Sequence, residues 1–325
     1  MSVQELKGPA ELVLATLVAR RYYLDEKNKS EIAEELDLSR FRVARLLEAA
    51  RRRGLVRIEI SYPGTIDVEL SARLRDTFDL QHAIVVDTDD QHEASLRKQL
   101  GVAAAELLSE ILTPRDVLGL AWARTVSAMA TELRQLPAIP VVQLTGGLAR
   151  SSESSSPIEV DSSIDVVRDV ARVAGGPAYL FFAPFLVDDA ATAQALRRQP
   201  DVGRALKSIS SVTKAVMGIG HWAPGQSTLY DAAAESERRS LKGKGVCAEI
   251  GGVFVTADGQ TLHTSVNERM VAITAEQLDA VPEVIAIPYG VSKEPAVRAA
   301  LRSGLVNSLV THTGLAEALL SHGRG

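Results

Sequence analysis

Hydrophobic positions along this chain follow two rhythms, and the change comes near Pro63. Up to that point the apolar residues recur at helical spacing. Leu14, Leu17 and Val18 mark one side of a helix from Ala10 to Leu24. Ile32, Ala33 and Leu36 mark a short second helix, with Ser30 as its N-cap and Glu31 in its first turn. Asp37 and Leu38 form a turn. Ser39 then caps a third helix in which Val43, Leu46, Leu47 and Ala50 recur at i, i+3, i+4 and i+7. The pattern reads as a helix-turn-helix. Gly54 is placed to end the third helix in a left-handed conformation, and LVRIEIS then alternates as a short strand, the wing of a winged unit. Pro63 and Gly64 punctuate. A further helix from Thr65 carries Ile66, Leu70, Leu74 and Phe78 as an apolar seam, placed to pair with a second copy of the chain.

From Gln81 the rhythm shortens. The runs HAIVVD, DVLGLAW, IPVVQLTGG, AYLFFAP, TKAVMGIG, VCAEIGGVFV, EVIAIPYG and NSLVT alternate with helical stretches, the first of them from Asp90 to Leu112. Runs this apolar predict strands covered on both faces, and their alternation with helices predicts a doubly wound, largely parallel α/β sheet. The organisation expected is a helix-turn-helix domain over 1–62, a linker helix over 63–79 and a ligand-binding α/β domain over 80–325. That division suits 325 residues, too many for one small core.

Charge gives the third helix its meaning. From Ser39 to Arg57 there are seven arginines against the single acid Glu48, in a chain of net charge -5. A basic cluster confined to one helix of an acidic chain is the electrostatic footprint of a double-stranded DNA binder. Ser39, Arg40, Phe41, Arg42, Arg45, Arg51, Arg52 and Arg53 are the candidate DNA-binding residues, with Arg40 and Arg45 expected to read the operator and Arg51 to Arg53 expected mainly to contact phosphates. The bland alternative is a solvated helix face with a basic last turn.

Other chemistry is mostly excluded. The single cysteine, Cys247, rules out an internal disulfide and a cysteine-based zinc site, and the six histidines never fall at metal-ligand spacing. No apolar run is long enough to span a bilayer, and the N-terminus has no secretory pattern, so a cytoplasmic protein is expected. The polar stretch SSESSS reads as a surface loop or a lid.

Ligands of doubly wound sheets bind beyond the carboxyl ends of strands. There the chain has Trp122, Arg124 and Thr125, at a helix start suited to an anion, then the turn Thr145-Gly146-Gly147, and then His221 after a Gly-Ile-Gly run. The glycines either turn the chain or expose N–H groups to a ligand. The Gly-Ile-Gly run lacks dinucleotide spacing, so no nicotinamide cofactor is expected. Glu249 and Lys293 are isolated ionisable groups beside strand ends, either solvated or part of a cleft.

The helix-turn-helix with VARLLEAARRRGLVRIEI, followed by GLAWARTV, VVQLTGG, GIG, GVCAEIGGVF and KEPAVRAALRSGLVNSLVTHTGLAEALL, resembles the SorC (DeoR-like) family of bacterial sugar-binding transcriptional regulators over nearly the whole chain. The resemblance implies a domain related to phosphosugar isomerases and deaminases, a tetramer, and a sugar, polyol or sugar-phosphate effector. It implies ligand contacts at Trp122, Arg124, Thr125, Thr145, Gly146, Gly147, Glu249 and Lys293. The chain departs from the family pattern in three places. Phe41 and Arg42 stand where Pro and Thr are common, Ala248-Glu249 where Gly-Asp is usual, and Tyr289, ahead of Lys293, narrows the pocket. The leading expectation is a regulator without catalytic residues. The runner-up is a sugar-phosphate isomerase or deaminase fused to a DNA-binding unit.

Overall fold

The structure, a computed structural model, describes residues 8–56, 66–88, 92–148 and 163–321. The chain divides into two compact units, Met1–Pro63 and Gly64–Gly325. The expected wing strand from Arg57 onward and the SSESSS stretch lie outside the described residues.

The first unit contains α1 (Pro9–Tyr23), α2 (Lys29–Glu35) and α3 (Arg40–Arg52) around a small core of Ala15, Val18, Ile32, Val43, Leu46, Leu47 and Ala50. Asn28, not Ser30, starts α2. Its side chain accepts from the Ser30 and Glu31 N–H groups while Glu31 bonds back to the Asn28 N–H, a complete capping box. The Ser39 side chain caps α3 by accepting from the Arg42 N–H at 3.2 Å. Between the two helices Asp37 takes φ +52°, a left-handed turn conformation that Asp tolerates better than most residues.

In the second unit, α4 (Val68–Phe78) leads into β1 (His82–Val86), followed by α5 (Glu93–Ile111), β2 (Leu118–Leu120), α6 (Arg124–Glu132), β3 (Val141–Gln143), α7 (Ser163–Ala174) and β4 (Ala178–Tyr179). Then come β5 (Lys214–Met217), β6 (Gly220–His221), β7 (Val246–Ile250), β8 (Val253–Thr256), β9 (Thr261–Leu262), β10 (Glu283–Ala286) and β11 (Ser308–His312). Among the described residues the main sheet has seven strands in the order β1-β11-β10-β5-β2-β3-β4, and every pair is parallel. Apolar clusters cover both faces: Leu74, Val297, Leu309 and Leu315 belong to one, Leu100, Leu108, Val126 and Val167 to the other. The doubly wound α/β fold is therefore present.

Two expectations change. VCAEIGGVFV is not part of the parallel sheet; it folds as the antiparallel hairpin β7–β8 in a second sheet, ordered β6-β7-β8-β9. Ile250 pairs with Val253, so Gly251 and Gly252 form a two-residue loop with φ +56° and +94°, a backbone that favours glycine at both positions. The seam of α4 is also spent locally. Leu70 and Leu74 are buried in the core of their own unit, where α4 packs on β1 and on the helix Thr313–Ser321, so they are not free to face a second copy.

Candidate functional site

The main sheet reverses its direction of winding between β2 and β5. From β2 the chain proceeds outward to β3 and β4; from β5 it proceeds the other way to β10 and β11. A cleft opens at the carboxyl ends of such neighbouring strands, because the connections leave in opposite directions. A cavity of about 870 Å³ lies there, lined by segments following β2, β3, β5, β10 and β11. Trp122, Arg124, Thr125, Thr145, Gly146, Glu249, Tyr289 and Lys293 all line it.

Each of these side chains has a distinct position. The start of α6 has Ala123 as N-cap and no side-chain cap, so its first N–H groups lack a side-chain acceptor. The exposed Arg124 forms no ion pair among the described residues. Together they make one wall of the cleft attractive to an anion. The Thr125 hydroxyl is already committed, donating to the Ile287 carbonyl at 2.8 Å and tying α6 to the end of β10. Lys293 Nζ donates to the Ile219 carbonyl at 3.0 Å and lies 5.4 Å from the centre of the Tyr289 ring. Burial holds the Lys293 amine below its ordinary value, while Tyr289 and Glu249 pull the other way.

Glu249 is the most constrained group. Its Oε1 accepts from the Ser227 hydroxyl at 2.9 Å and its Oε2 from the Gly252 N–H at 3.3 Å. Burial pushes its carboxyl above the ordinary range, opposed by those two hydrogen bonds and by Lys293. Gly220, paired with Glu249 across β6 and β7, leaves room for it: a Cβ there would stand 2.3 Å from Oε1.

The turn Thr145-Gly146-Gly147 does not provide the N–H cradle its glycines implied. The Gly146 N–H donates to Val271 at 2.9 Å and the Gly147 N–H to Ala183 at 3.0 Å. Gly146 is required by close packing, since a Cβ would meet the backbone of Ala183, Pro184 and Phe185 at 2.7 Å. Gly147 does not line the cavity, and neither does His221, whose Nδ1 is buried without a partner among the described residues and whose pKa burial lowers.

Sequence reasoning missed several lining residues. Asp87 directly follows β1, Thr313 directly follows β11, and Ser227 and Gln226 come from the segment after β6. The first two could have been found by the same strand-end rule. His312, also in the lining, accepts from the Gly290 N–H at its Nε2 at 3.1 Å, and burial depresses its pKa. An accepting Nε2 leaves the ring proton on Nδ1.

In the first unit, Ser39, Arg40, Phe41, Arg42, Arg45, Arg51, Arg52 and Arg53 are all exposed. Among the described residues none of these arginines forms an ion pair. By contrast Arg21 and Lys27 are neutralised by Asp25 and Glu35. Among the described residues of the unit, arginines without an ion pair thus cluster on α3 and its exit.

No helix among the described residues is long and apolar enough to cross a membrane, and no group of side chains there could hold a metal ion. Residues 63–321 match the family model described as "Putative sugar-binding domain". The transcriptional regulator LsrR of Klebsiella pneumoniae subsp. pneumoniae is 26% identical over 321 residues, covering 96% of this chain and 94% of that protein. The sorbitol operon regulator of Klebsiella pneumoniae is 26% identical over 322 residues, covering 97% and 100%. The crystal structure of the full-length sorbitol operon regulator SorC from that organism superposes with a TM-score of 0.72 at 25% identity, covering 95% of this chain and 98% of that one.

Proposed function

The chain belongs to this sugar-binding domain family, and on that premise we propose that it is a transcriptional regulator: its second unit takes a small carbohydrate effector in the cleft and its first unit binds double-stranded operator DNA. The observation that carries the reading is the presence in one chain of a switch-point cleft and of a helix-turn-helix with unpaired arginines on its second helix. The relatives named as regulators align over nearly the full length, so both parts are shared with them.

The effector is a sugar, polyol or sugar phosphate. Arg124 and the uncapped start of α6 support a phosphorylated one, because an anion satisfies both at once. Glu249, Tyr289 and Lys293 serve the hydroxyl end. The protein acts as a cytoplasmic homo-oligomer, a tetramer, and performs no catalysis. Glu249 and Lys293 are each held by hydrogen bonds to their own chain and form no ion pair with each other among the described residues, which supports binding over proton transfer.

The test compares wild type and Arg124→Ala with a sugar or polyol and its phosphate ester by calorimetry, with turnover assays alongside. A phosphate preference of at least about tenfold, or about 1.4 kcal/mol, that collapses in the variant is expected, with no turnover. Equal wild-type affinity for both members of each pair would remove the phosphate assignment, and turnover would restore the isomerase or deaminase reading.

A further inference from the structure

The face of α3 turned away from its core carries an aromatic ring that its own unit does not use. Phe41 is 84% exposed, more than any other large hydrophobic among the described residues. With about 100° between successive residues of a helix, Val43, Leu46, Leu47 and Ala50 face the core, while Phe41, Arg45, Glu48 and Arg52 form the stripe opposite it. Phe41 is the second residue of the helix and stands between Arg40 and Arg42. Arg40, Arg42 and Arg45 are its charged neighbours within one turn of the helix. A second apolar protein surface would have to desolvate those arginines, whereas a polyanion would be drawn to them.

In a helix-turn-helix the N-terminal residues of the second helix approach the base edges. A phenyl ring has neither donor nor acceptor, so the hydrogen-bonding edges of guanine, adenine and cytosine offer it nothing. The apolar group exposed in the major groove is the 5-methyl of thymine. We propose that Phe41 is a specificity-determining residue that packs on a thymine 5-methyl in each half-site. This rests on the reading of the first unit as a DNA binder. Loss of the methyl removes apolar contact and no hydrogen bond, so the ring would discriminate thymine from its demethylated analogue without changing base pairing.

The experiment uses the full-length protein. A randomised duplex pool is selected for binding, and the enriched duplex is remade with each thymine replaced singly by deoxyuridine, which lacks only the methyl. In wild type, one position per half-site should lose roughly three- to tenfold in affinity, the scale of one methyl-sized apolar contact. In Phe41→Ala that same replacement should change affinity less than twofold. Arg52→Ala, weaker on all duplexes, should keep the wild-type sensitivity. Wild-type indifference to deoxyuridine at every position, or sensitivity that persists in Phe41→Ala, overturns the assignment. Failure of the pool to enrich any duplex overturns the DNA-binding reading itself, and the assignment with it; the two failures are thus told apart.

Discussion

Buried carboxylates are treated in opposite ways at the amino ends of the main sheet's strands and in the cleft beyond their carboxyl ends. At the amino ends of the strands, Glu283 is 3% exposed and is met by His82 Nδ1 at 2.7 Å, the Ser308 hydroxyl at 2.6 Å and Lys214 Nζ at 3.5 Å. Lys214 also reaches Asp116, which accepts from Thr113 and Thr213. At the carboxyl ends, Glu249 is 9% exposed and has two hydrogen bonds, with no cation within ion-pair distance among the described residues. The first set of groups closes on itself. The second leaves charge and hydrogen-bonding capacity facing an open cavity, which a ligand can complete. Burial alone does not mark a site; burial with incomplete partners beside a cavity does.

The contrast can be broken at either end, and the largest effect is expected at the closed one. Glu283→Ala leaves Lys214 with Asp116 as its one carboxylate partner among the described residues and takes the charged acceptor from the Ser308 hydroxyl and His82, so chemical denaturation should show a loss of about 3–5 kcal/mol. Glu249→Gln should cost far less stability while effector affinity, read by calorimetry, drops. A loss as large as that of Glu283→Ala would make both ends structural.

Gly220→Ala is expected to be intermediate. Its Cβ would stand 2.3 Å from Glu249 Oε1 and 2.8 Å from the Ser227 hydroxyl, so overpacking should cost about 1–3 kcal/mol and displace the carboxylate from the cleft. Effector affinity should fall with the melting temperature, and a Gly220→Ala/Glu249→Ala double variant should recover part of the stability.

The smallest effect is in pH dependence, where the two ends should slope in opposite directions. Burial raises the Glu249 carboxyl above the ordinary 4.5, so its contribution is present below that value and is lost as pH rises through the folded value. For Asp116 burial also pushes up, but hydrogen bonds from Thr213 and Thr113 and the charge of Lys214 outweigh it and hold the carboxyl below the ordinary 3.8. Its contribution is present above 3.8 and is lost as pH falls through the folded value. Melting curves across pH should therefore lose their decline above pH 4.5 in Glu249→Gln, and lose part of their acid limb in Asp116→Asn.

Much of this was legible in the sequence, for reasons that can be named. Apolar runs separated by helices fix a covered parallel sheet, and the strand-end rule pointed to Trp122, Arg124, Thr125 and Thr145, which share one cleft; Glu249 and Lys293, left open by their positions, entered through the family resemblance. Periodicity shows that a helix has an apolar face and not what covers it, which is why the seam of α4 misled. Glycines look alike whether their N–H groups are free or taken, and the acceptors at Gly146 and Gly147 come from the distant Val271 and Ala183. The Gly251-Gly252 pair between two apolar runs was a readable hairpin signal, masked by how well those runs fit central strands. Asn28 outcompeted Ser30 because its longer side chain reaches two N–H groups at once.

The pairing of β1 with β11 has a consequence for how the chain is made. Among the described residues β1 lies at the sheet edge, with β11 as its one strand neighbour, and the bonded residues His82 and Ser308 are 226 positions apart. At roughly 5–20 residues per second, translation delivers the partner on the order of 10–45 s after β1 is synthesised. Through that interval HAIVV has no strand to pair with, while the three helices ahead of it can fold from local contacts alone. The helices that carry the arginines are thus available on a nascent chain whose effector sheet is still open, and a premature stop before Ser308 would leave an unpaired apolar strand behind a finished helical unit.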